Sequence, residues 1–254
     1  MLGQLVRDDQ RRVSYAQLDY EMDANPCHAV TIQSVWRFCP DGMCGRLWRV
    51  TARRDDPEQS GTGLRERILD ALRGLLRERT FDTLSVAEII ATAKVSRASF
   101  YFYFAGKQAV LAELVRRAVG AGHEAARPWV QATADPRETL RAGIDAGAGL
   151  WLSNAAVLRA IVESWASDPQ LRELWLAQMT TFTDAAIDRI ESDRQADPAV
   201  EARLDGVDTH ALAASLTWTG ERLYYLAACG VPPFDDRAVL VDTLTHLWVS
   251  ALYD

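Results

Sequence analysis

Apolar residues recur with the period of an α-helix from Leu64 almost to the end of the chain. In the first segment, Leu64, Ile68, Leu72 and Leu75 fall on one helical face, and arginines occupy much of the remaining surface. Few runs of β-branched residues interrupt the later segments. The pattern therefore predicts an all-α protein whose first helix begins at Leu64.

Two short helices are predicted next. The tetrapeptide SVAE at positions 85–88 is a capping box, in which serine and glutamate each satisfy a backbone N–H, and it opens a helix that ends near Ala93. Ser96 can cap a third helix through RASFYFYF, and Gly106 precedes a fourth helix. This spacing is typical of a three-helix, helix-turn-helix DNA-binding domain, which we place at residues 61–108.

Residues 109–254 are predicted to form a second, helical domain. Trp175, Met179, Phe182 and Ala186 make an apolar stripe on one of its helices. Aspartate followed by proline at two of the breaks is typical of an N-cap with proline at the first helical position. Breaks are expected near Arg127-Pro128, Asp135-Pro136, Asp168-Pro169, Asp197-Pro198 and Val231-Pro232-Pro233.

The first 60 residues lack a sustained period and end in a segment rich in helix breakers. We expect them to be a disordered or poorly packed extension, or a non-native one if translation starts at Met43. In the second case, four arginines would form a short N-terminal arm of the kind that touches DNA, or only a solvated tail: Arg46, Arg49, Arg53 and Arg54.

Charge is distributed unevenly along the 254 residues, whose formal net charge is −7. Residues 61–120 hold 10 Lys or Arg against 6 Asp or Glu, whereas residues 121–254 hold 10 against 20. A basic segment joined to an acidic one suggests that only the first meets a polyanion. No apolar run is long enough to cross a membrane and no secretory signal opens the chain, so we expect a cytoplasmic protein.

Metal and catalytic sites have little support. Four residues near the start could in principle bind zinc, but neighbouring Cys and His do not easily face one tetrahedral ion and no CxxC pair is present. The histidines are far apart and Cys229 has no evident activating base, so an all-α enzyme is an unfavoured alternative. The four zinc candidates are Cys27, His28, Cys39 and Cys44. We expect no metal and no cofactor.

The third helix and its exit, from Val95 to Lys107, resemble the TetR family of repressors. They contain a serine after the turn, a small residue, an aromatic pair, a further aromatic residue and then a lysine that opens helix four. The likeness extends over residues 64–110. It implies a regulator that binds double-stranded operator DNA.

The third helix should therefore enter the major groove. Phe100 and Phe104 share one face and should anchor it to the first two helices, whereas Phe102 could face either the core or the surface. Arginine can bind guanine through two hydrogen bonds, and hydroxyl groups suit phosphate oxygens or a thymine methyl group. The predicted DNA-binding residues are Ser85, Lys94, Ser96, Arg97, Ser99, Tyr101, Tyr103 and Lys107.

Two of these residues are expected to meet phosphates rather than bases, and for a third a phosphate contact is one of the alternatives. Lys107 and Ser85 lie at the amino ends of helices, where the positive end of the helix dipole favours an anion. Lys94 occupies a turn position that usually holds glycine, so we expect a strained or altered turn, or an added phosphate contact.

The closing half resembles the EthR-like branch of the family, on the segments ELW at 173–175, ERL at 221–223 and the stretch from Asp242 to Tyr253. The resemblance implies an apolar tunnel for an effector. Thr217 and Gly220 replace amides expected in that branch, and Gly147 in place of a bulky ring should widen the tunnel. By this resemblance its walls are Leu140, Gly147, Trp151, Trp175, Met179, Phe182, Thr217, Gly220 and Trp248. Such walls favour a lipophilic, largely uncharged molecule.

The resemblance also implies a homodimer. The last two long helices, near residues 208–229 and 235–253, should pair with their copies, and a two-fold dimer reads a palindrome. We expect a repressor that leaves its operator when the effector binds. The alternative is a protein of the same fold that binds DNA constitutively. In that case the aromatic second half would be a packed core without an effector cavity.

Overall fold

Ten α-helices follow one another in this computed structural model, which describes residues 61–131 and 134–254, without the side chains of residues 61 and 62. A 3-10 turn, Phe81–Thr83, lies between the first two helices, and no strand occurs among the described residues. The all-α prediction is confirmed. The zinc candidates, the arginine arm and Met43 lie outside the described residues. The helices are α1 (Gly61–Leu75), α2 (Val86–Ala93), α3 (Arg97–Tyr103), α4 (Lys107–Val130), α5 (Pro136–Ser153), α6 (Ala155–Ser164), α7 (Pro169–Ala196), α8 (Pro198–Arg203), α9 (Thr209–Ala228) and α10 (Arg237–Leu252).

α2 and α3 begin where they were predicted and α1 packs as predicted, but α1 begins at Gly61, three residues before the predicted Leu64. Ile68, Leu69 and Leu72 of α1 are fully buried. Ser85 and Glu88 form the capping box that opens α2, and Ser96 caps α3 by accepting a hydrogen bond from the Ser99 amide. Short-range hydrogen bonding thus determines where both short helices begin.

Aspartate opens five of the described helices. The Asp135 carboxylate accepts hydrogen bonds from the amides of Arg137 and Glu138 at the start of α5. Proline follows directly in three cases, where its missing N–H would have no helical partner anyway. The five N-caps are Asp135, Asp168, Asp197, Asp208 and Asp236.

The break predicted at Arg127-Pro128 is wrong, because α4 continues through Pro128 to Val130. A proline so close to a helix end disturbs only the last turn. The turn it belongs to also carries Trp129, which is 5% exposed, and burial of that ring favours continuing the helix. At 24 residues, α4 is about 36 Å long and runs from the helix-turn-helix unit deep into the second half.

Two clusters of buried side chains lie among the described residues. The first joins α1–α4 to α5, α6 and α7, and the second joins α4, α5 and α7 to α8–α10. Since α4 contributes to both, the predicted boundary between residues 108 and 109 falls inside one helix. None of the described helices combines the length and the apolar character needed to cross a membrane.

Candidate nucleic-acid interface and effector cavity

The recognition helix α3 has a buried side and an exposed side. Phe100 and Phe104 are buried in the first core cluster, as predicted. On the other side, Arg97 is exposed and its guanidinium lies 5.1 Å from the centroid of the Tyr101 ring. Tyr101 is itself 44% exposed. The pair therefore presents a cation and a phenol together on the outer surface of the helix.

Tyr103 is more buried than the sequence predicted, and Phe102, whose side was left open, lies on the surface. Phe102, which the pattern left open between core and surface, is 80% exposed. Tyr103 is half-buried and packs against the first core cluster, with its ring edge-on to Phe102 at 4.9 Å between centroids. Phe102 is thus a candidate DNA contact that the sequence analysis did not include.

The serine hydroxyls are engaged within their own turns. The Ser96 hydroxyl accepts from the Ser99 amide at 2.9 Å and lies 2.8 Å from the Ser99 hydroxyl. Ser85 accepts from the Glu88 amide, and its own amide and hydroxyl donate to the Glu88 carboxylate. Arg79 binds the same carboxylate, and the Arg79 and Ser85 hydrogen bonds lower the pKa of Glu88 to about 2. All three serines remain near the outer surface, and their DNA contacts stay a prediction.

The turn between α2 and α3 has the left-handed geometry expected at Lys94, with φ 53° and ψ 45°. Arg67 of α1 holds this turn. Its Nε and Nη2 atoms donate to the Ala93 carbonyl at 3.0 and 2.8 Å, and Nη2 also donates to the Lys94 carbonyl. These bonds satisfy carbonyls at the end of α2 that have no helical partner. The Lys94 ammonium is exposed and has no partner among the described residues.

Lys107 differs from the expectation of a free phosphate ligand. Its ammonium donates to three carbonyls of the segment that precedes α2, those of Phe81, Asp82 and Leu84, at 3.0, 3.2 and 2.7 Å. It also lies 4.7 Å from the centroid of the Phe81 ring. An ammonium group has three hydrogens, so these contacts use its donors fully. Lys107 therefore holds the segment before α2 against the start of α4.

Ion pairs connect α1 with α4 further along α4. Arg117 donates to both carboxylate oxygens of Glu66 at 2.8 Å, and to Glu113 at 3.0 Å. Arg65 binds Glu113 at 2.9 Å. The hydrogen bond from Arg117 lowers the pKa of Glu66. A movement of α4 would thus be transmitted to α1.

A cavity of about 380 Å³ lies in the second half of the molecule. Side chains of α4, α5, α6, α7, α9 and α10 form its walls. All nine residues expected at the tunnel line it: Leu140, Gly147, Trp151, Trp175, Met179, Phe182, Thr217, Gly220 and Trp248. Their contact with a ligand stays a prediction.

Gly147 does not simply widen the cavity, in contrast to the expectation. The Tyr224 ring occupies the space beside it, and a Cβ atom at Gly147 would lie 2.9 Å from the phenol oxygen. That hydroxyl donates to the Ile144 carbonyl at 3.0 Å, and the Tyr224 ring stacks on Trp151 at 6.0 Å between centroids. Burial raises the pKa of the Tyr224 phenol above its ordinary value.

Polar groups on the cavity wall are few, and two buried side chains among them, those of Glu221 and Trp175, have no hydrogen-bond partner within the described residues. Glu221 of α9 is 5% exposed and makes no hydrogen bond or ion pair within the described part of the chain. The Trp175 Nε1–H is buried without an acceptor. His123 stacks on Phe182 at 4.0 Å between centroids and lies 2.9 Å from the Thr181 hydroxyl. Burial lowers the pKa of His123, which favours the neutral ring.

The comparisons with known proteins agree with this architecture. Residues 68–114 match the family described as "Bacterial regulatory proteins, tetR family", and residues 140–254 match "Transcriptional regulator EthR, C-terminal domain". The chain is 34% identical over 191 residues to the HTH-type transcriptional regulator EthR of Mycobacterium tuberculosis, covering 73% of this chain and 85% of that protein. The chain belongs to the TetR family of transcriptional regulators. Within the TetR family it is EthR-like.

Further relatives support the same placement. EthR of Mycolicibacterium smegmatis is 31% identical over 208 residues, covering 81% of this chain and 93% of that protein. A putative TetR-family regulator from Syntrophomonas wolfei superposes with a TM-score of 0.62 at 14% identity, covering 76% of this chain and 96% of that one. For the fatty acid degradation regulator FadR from Bacillus halodurans the TM-score is 0.61 at 17% identity, with 75% and 96% covered. These structures share the TetR-family fold.

The TetR family assignment settles the class of function. The protein is a DNA-binding transcriptional regulator, and its relatives are named regulators rather than enzymes. Three side chains with roles in this arrangement escaped the sequence analysis: Arg67, Tyr224 and Glu221. The position of Glu221 on the same helical face as Thr217 and Gly220 is a signal present in the sequence. The Arg67 and Tyr224 contacts, in contrast, join residues far apart in the chain.

Proposed function

We propose that the protein is a homodimeric repressor that leaves its operator when a small, largely apolar effector fills the cavity. The observation that carries this proposal is the path of α4. The helix begins at Lys107, in contact with the helix-turn-helix unit, and its residues Val119, Gly122 and His123 form part of the cavity wall. A ligand that moves this wall also moves the segment that Lys107 holds.

The two states of such a switch need to differ only modestly in free energy. A coupling of about 1 to 3 kcal/mol between effector and operator changes affinity about 5- to 150-fold. In the dimer, a tilt of α4 would change the separation of the two recognition helices. Half-sites on B-DNA lie about 34 to 36 Å apart, or a multiple of that distance, so a changed separation weakens binding of both helices at once.

Exposed apolar side chains on α10 support the dimer. Val239 and Leu247 are 38% and 40% exposed and lie two helical turns apart on this helix. Burying them against a second copy, together with the outer face of α9, gives the two-fold arrangement that a palindromic operator requires. We place the protein in the cytoplasm, where its DNA target is.

The cavity favours the ligand-responsive repressor over a constitutive DNA-binding protein of the same fold. A space of about 380 Å³ is well above the size of the small voids in a packed core and lies in the range of ligand sites. The rings on its wall include those of four tryptophans, Phe182 and Tyr224, which suit an apolar molecule.

The test measures binding of the purified protein to a fluorescent DNA fragment from upstream of its own gene at two salt concentrations. We expect tight binding that weakens steeply with salt, because phosphate contacts release counterions. Arg97→Ala and Tyr101→Ala should abolish the preference for this fragment, whereas Arg159→Ala, a partly exposed residue of α6 that pairs with Glu163, should retain it. Equal binding to unrelated DNA in all four proteins would contradict the role of α3. A selection from random DNA would then locate an operator elsewhere.

A further inference from the structure

Glu221 is an isolated acid in the wall of the cavity. It lies on the face of α9 that also carries Thr217, Gly220 and Tyr224, all of which line the same space. It is 5% exposed, yet no donor among the described residues reaches its carboxylate. Buried charges are ordinarily paired, because a carboxylate that leaves water loses the stabilisation of its hydration shell. An unpaired carboxylate in a cavity wall indicates that its partner is a donor or cation on the ligand.

The charged neighbours of Glu221 do not meet this need. Arg222, next in sequence, lies over the Tyr225 ring at 5.2 Å from its centroid. Glu124 and Arg127, the other carboxylate and the guanidinium on the cavity wall, bind each other at 2.6 Å. His123 is half-buried, and the desolvation that lowers its pKa favours the uncharged ring. Burial also raises the pKa of Glu221, an effect that the charge of Arg222 only partly offsets.

The surrounding rings add to the attraction for a cation. Trp151 and Tyr224 stack on one another, and Tyr224 is one helical turn from Glu221. The faces of tryptophan and tyrosine attract positive charge when it approaches within about 6 Å of the ring centroid. The Tyr224 hydroxyl already donates to the Ile144 carbonyl, so the ring of Tyr224 rather than its hydroxyl is available to a ligand.

We propose that Glu221 is the polar anchor of the cavity, and that the effector carries a basic nitrogen on an otherwise apolar, ring-containing body. This inference rests on the proposed function and narrows its ligand class, which the sequence analysis had expected to be largely uncharged. The ammonium hydrogen-bonds the carboxylate, and the body fills the apolar space that Trp151 and Trp175 line. Carboxylic acids, including fatty acids, are disfavoured because Glu221 would repel their charge.

The experiment uses three probes with the same phenylbutyl body, namely 4-phenylbutylamine, 4-phenylbutan-1-ol and 4-phenylbutyric acid. Their binding to the full chain is measured by isothermal titration calorimetry for wild type, Glu221→Gln and Glu173→Gln. Glu173 is exposed on α7 and does not line the cavity, so its variant controls for loss of one negative charge. The same samples are then tested for release of the upstream DNA fragment.

In wild type and Glu173→Gln we expect the amine to bind about tenfold more tightly than the alcohol, and the acid most weakly. In Glu221→Gln the amine should fall to within about twofold of the alcohol, because an amide cannot form the ion pair. Equal binding of amine and alcohol by wild type would overturn the anchor and leave the apolar cavity in place. If none of the three probes bound, both the Glu221 anchor and the ligand-binding role of the cavity would be overturned. Amine preference without DNA release would retain the anchor and refute the effector switch.

Discussion

The phenol oxygen of Tyr224 occupies the position next to Gly147 that a side chain on α5 would need. A Cβ atom at Gly147 would lie 2.9 Å from this oxygen, which is too close for any real contact. The same hydroxyl donates to the Ile144 carbonyl at 3.0 Å. Glycine on α5 therefore lets α9 place a tyrosine ring in the cavity wall.

Removing that hydroxyl should weaken the fold more than removing an exposed one. We expect Tyr224→Phe to lower the free energy of unfolding by about 1 kcal/mol, the usual contribution of one hydrogen bond. Tyr225→Phe is the matched control, because its hydroxyl bonds Glu163 at 3.3 Å near the surface. Urea unfolding followed by circular dichroism measures both. Equal stability of the two variants would contradict the role of the Ile144 contact.

Lys107 should behave as a structural residue. We expect Lys107→Met to lower the free energy of unfolding by about 1 to 3 kcal/mol, since three carbonyls lose their donor. Lys94→Met, on an exposed side chain, should leave stability nearly unchanged. If Lys107→Met instead retained full stability and reduced the salt dependence of DNA binding, Lys107 would be a phosphate ligand after all.

Lys94 should show opposite effects on stability and DNA binding. With φ at 53°, Lys94→Gly should gain up to about 1 kcal/mol in stability, because glycine adopts the left-handed region without strain. Loss of the ammonium should lower the slope of log K against log salt by about one unit. Lys94→Ala separates the two effects, since it loses the charge and keeps the strain. An unchanged salt slope in both variants would exclude a phosphate contact.

Phe102 should affect operator binding without affecting folding. The side chain is 80% exposed, so Phe102→Ala should leave the melting temperature within about 1 °C of wild type. We expect a loss of about 1 to 2 kcal/mol in operator binding, as an apolar contact with a base is removed. Phe100→Ala, in the core, should instead unfold the DNA-binding unit. Unchanged operator affinity in Phe102→Ala would place Phe102 outside the interface.

Glu221 should make stability depend on pH in the unusual direction for an acid. Burial raises its pKa above the ordinary value of 4.5, so the folded protein holds this proton more tightly than the unfolded chain does. The contribution of Glu221 to the free energy of unfolding is therefore most favourable below pH 4.5. It is lost as pH rises through the pKa that Glu221 has in the folded protein.

Glu221→Gln has no proton to lose, so we expect it to melt a few degrees above wild type at pH 8 and closer to it at pH 4. Thermal unfolding across this range, with Glu173→Gln as control, measures the difference. A difference independent of pH would show that packing rather than charge is responsible.

Much of the DNA-binding unit could be predicted because its signals are local. The capping box at Ser85, the cap at Ser96 and the left-handed turn at Lys94 involve residues within a few positions of each other. The apolar face of α1 follows from the helical period alone. The break at Pro128 failed for the same reason, since a local rule for proline did not account for the burial of Trp129.

The sequence by itself determined the helical fold, the starts of α2, α3 and α4, the buried face of α3 and, through the family resemblance, the residues that line the cavity. The tertiary structure decided which polar groups are used. The Lys107 ammonium meets carbonyls 23 to 26 residues away, and Tyr224 meets one 80 residues away. The Glu221 carboxylate, surrounded by several helices, has no hydrogen-bond donor among the described residues. Helix periods and caps arise from neighbours in the chain, whereas a donor and an acceptor from distant segments meet only once the helices have packed.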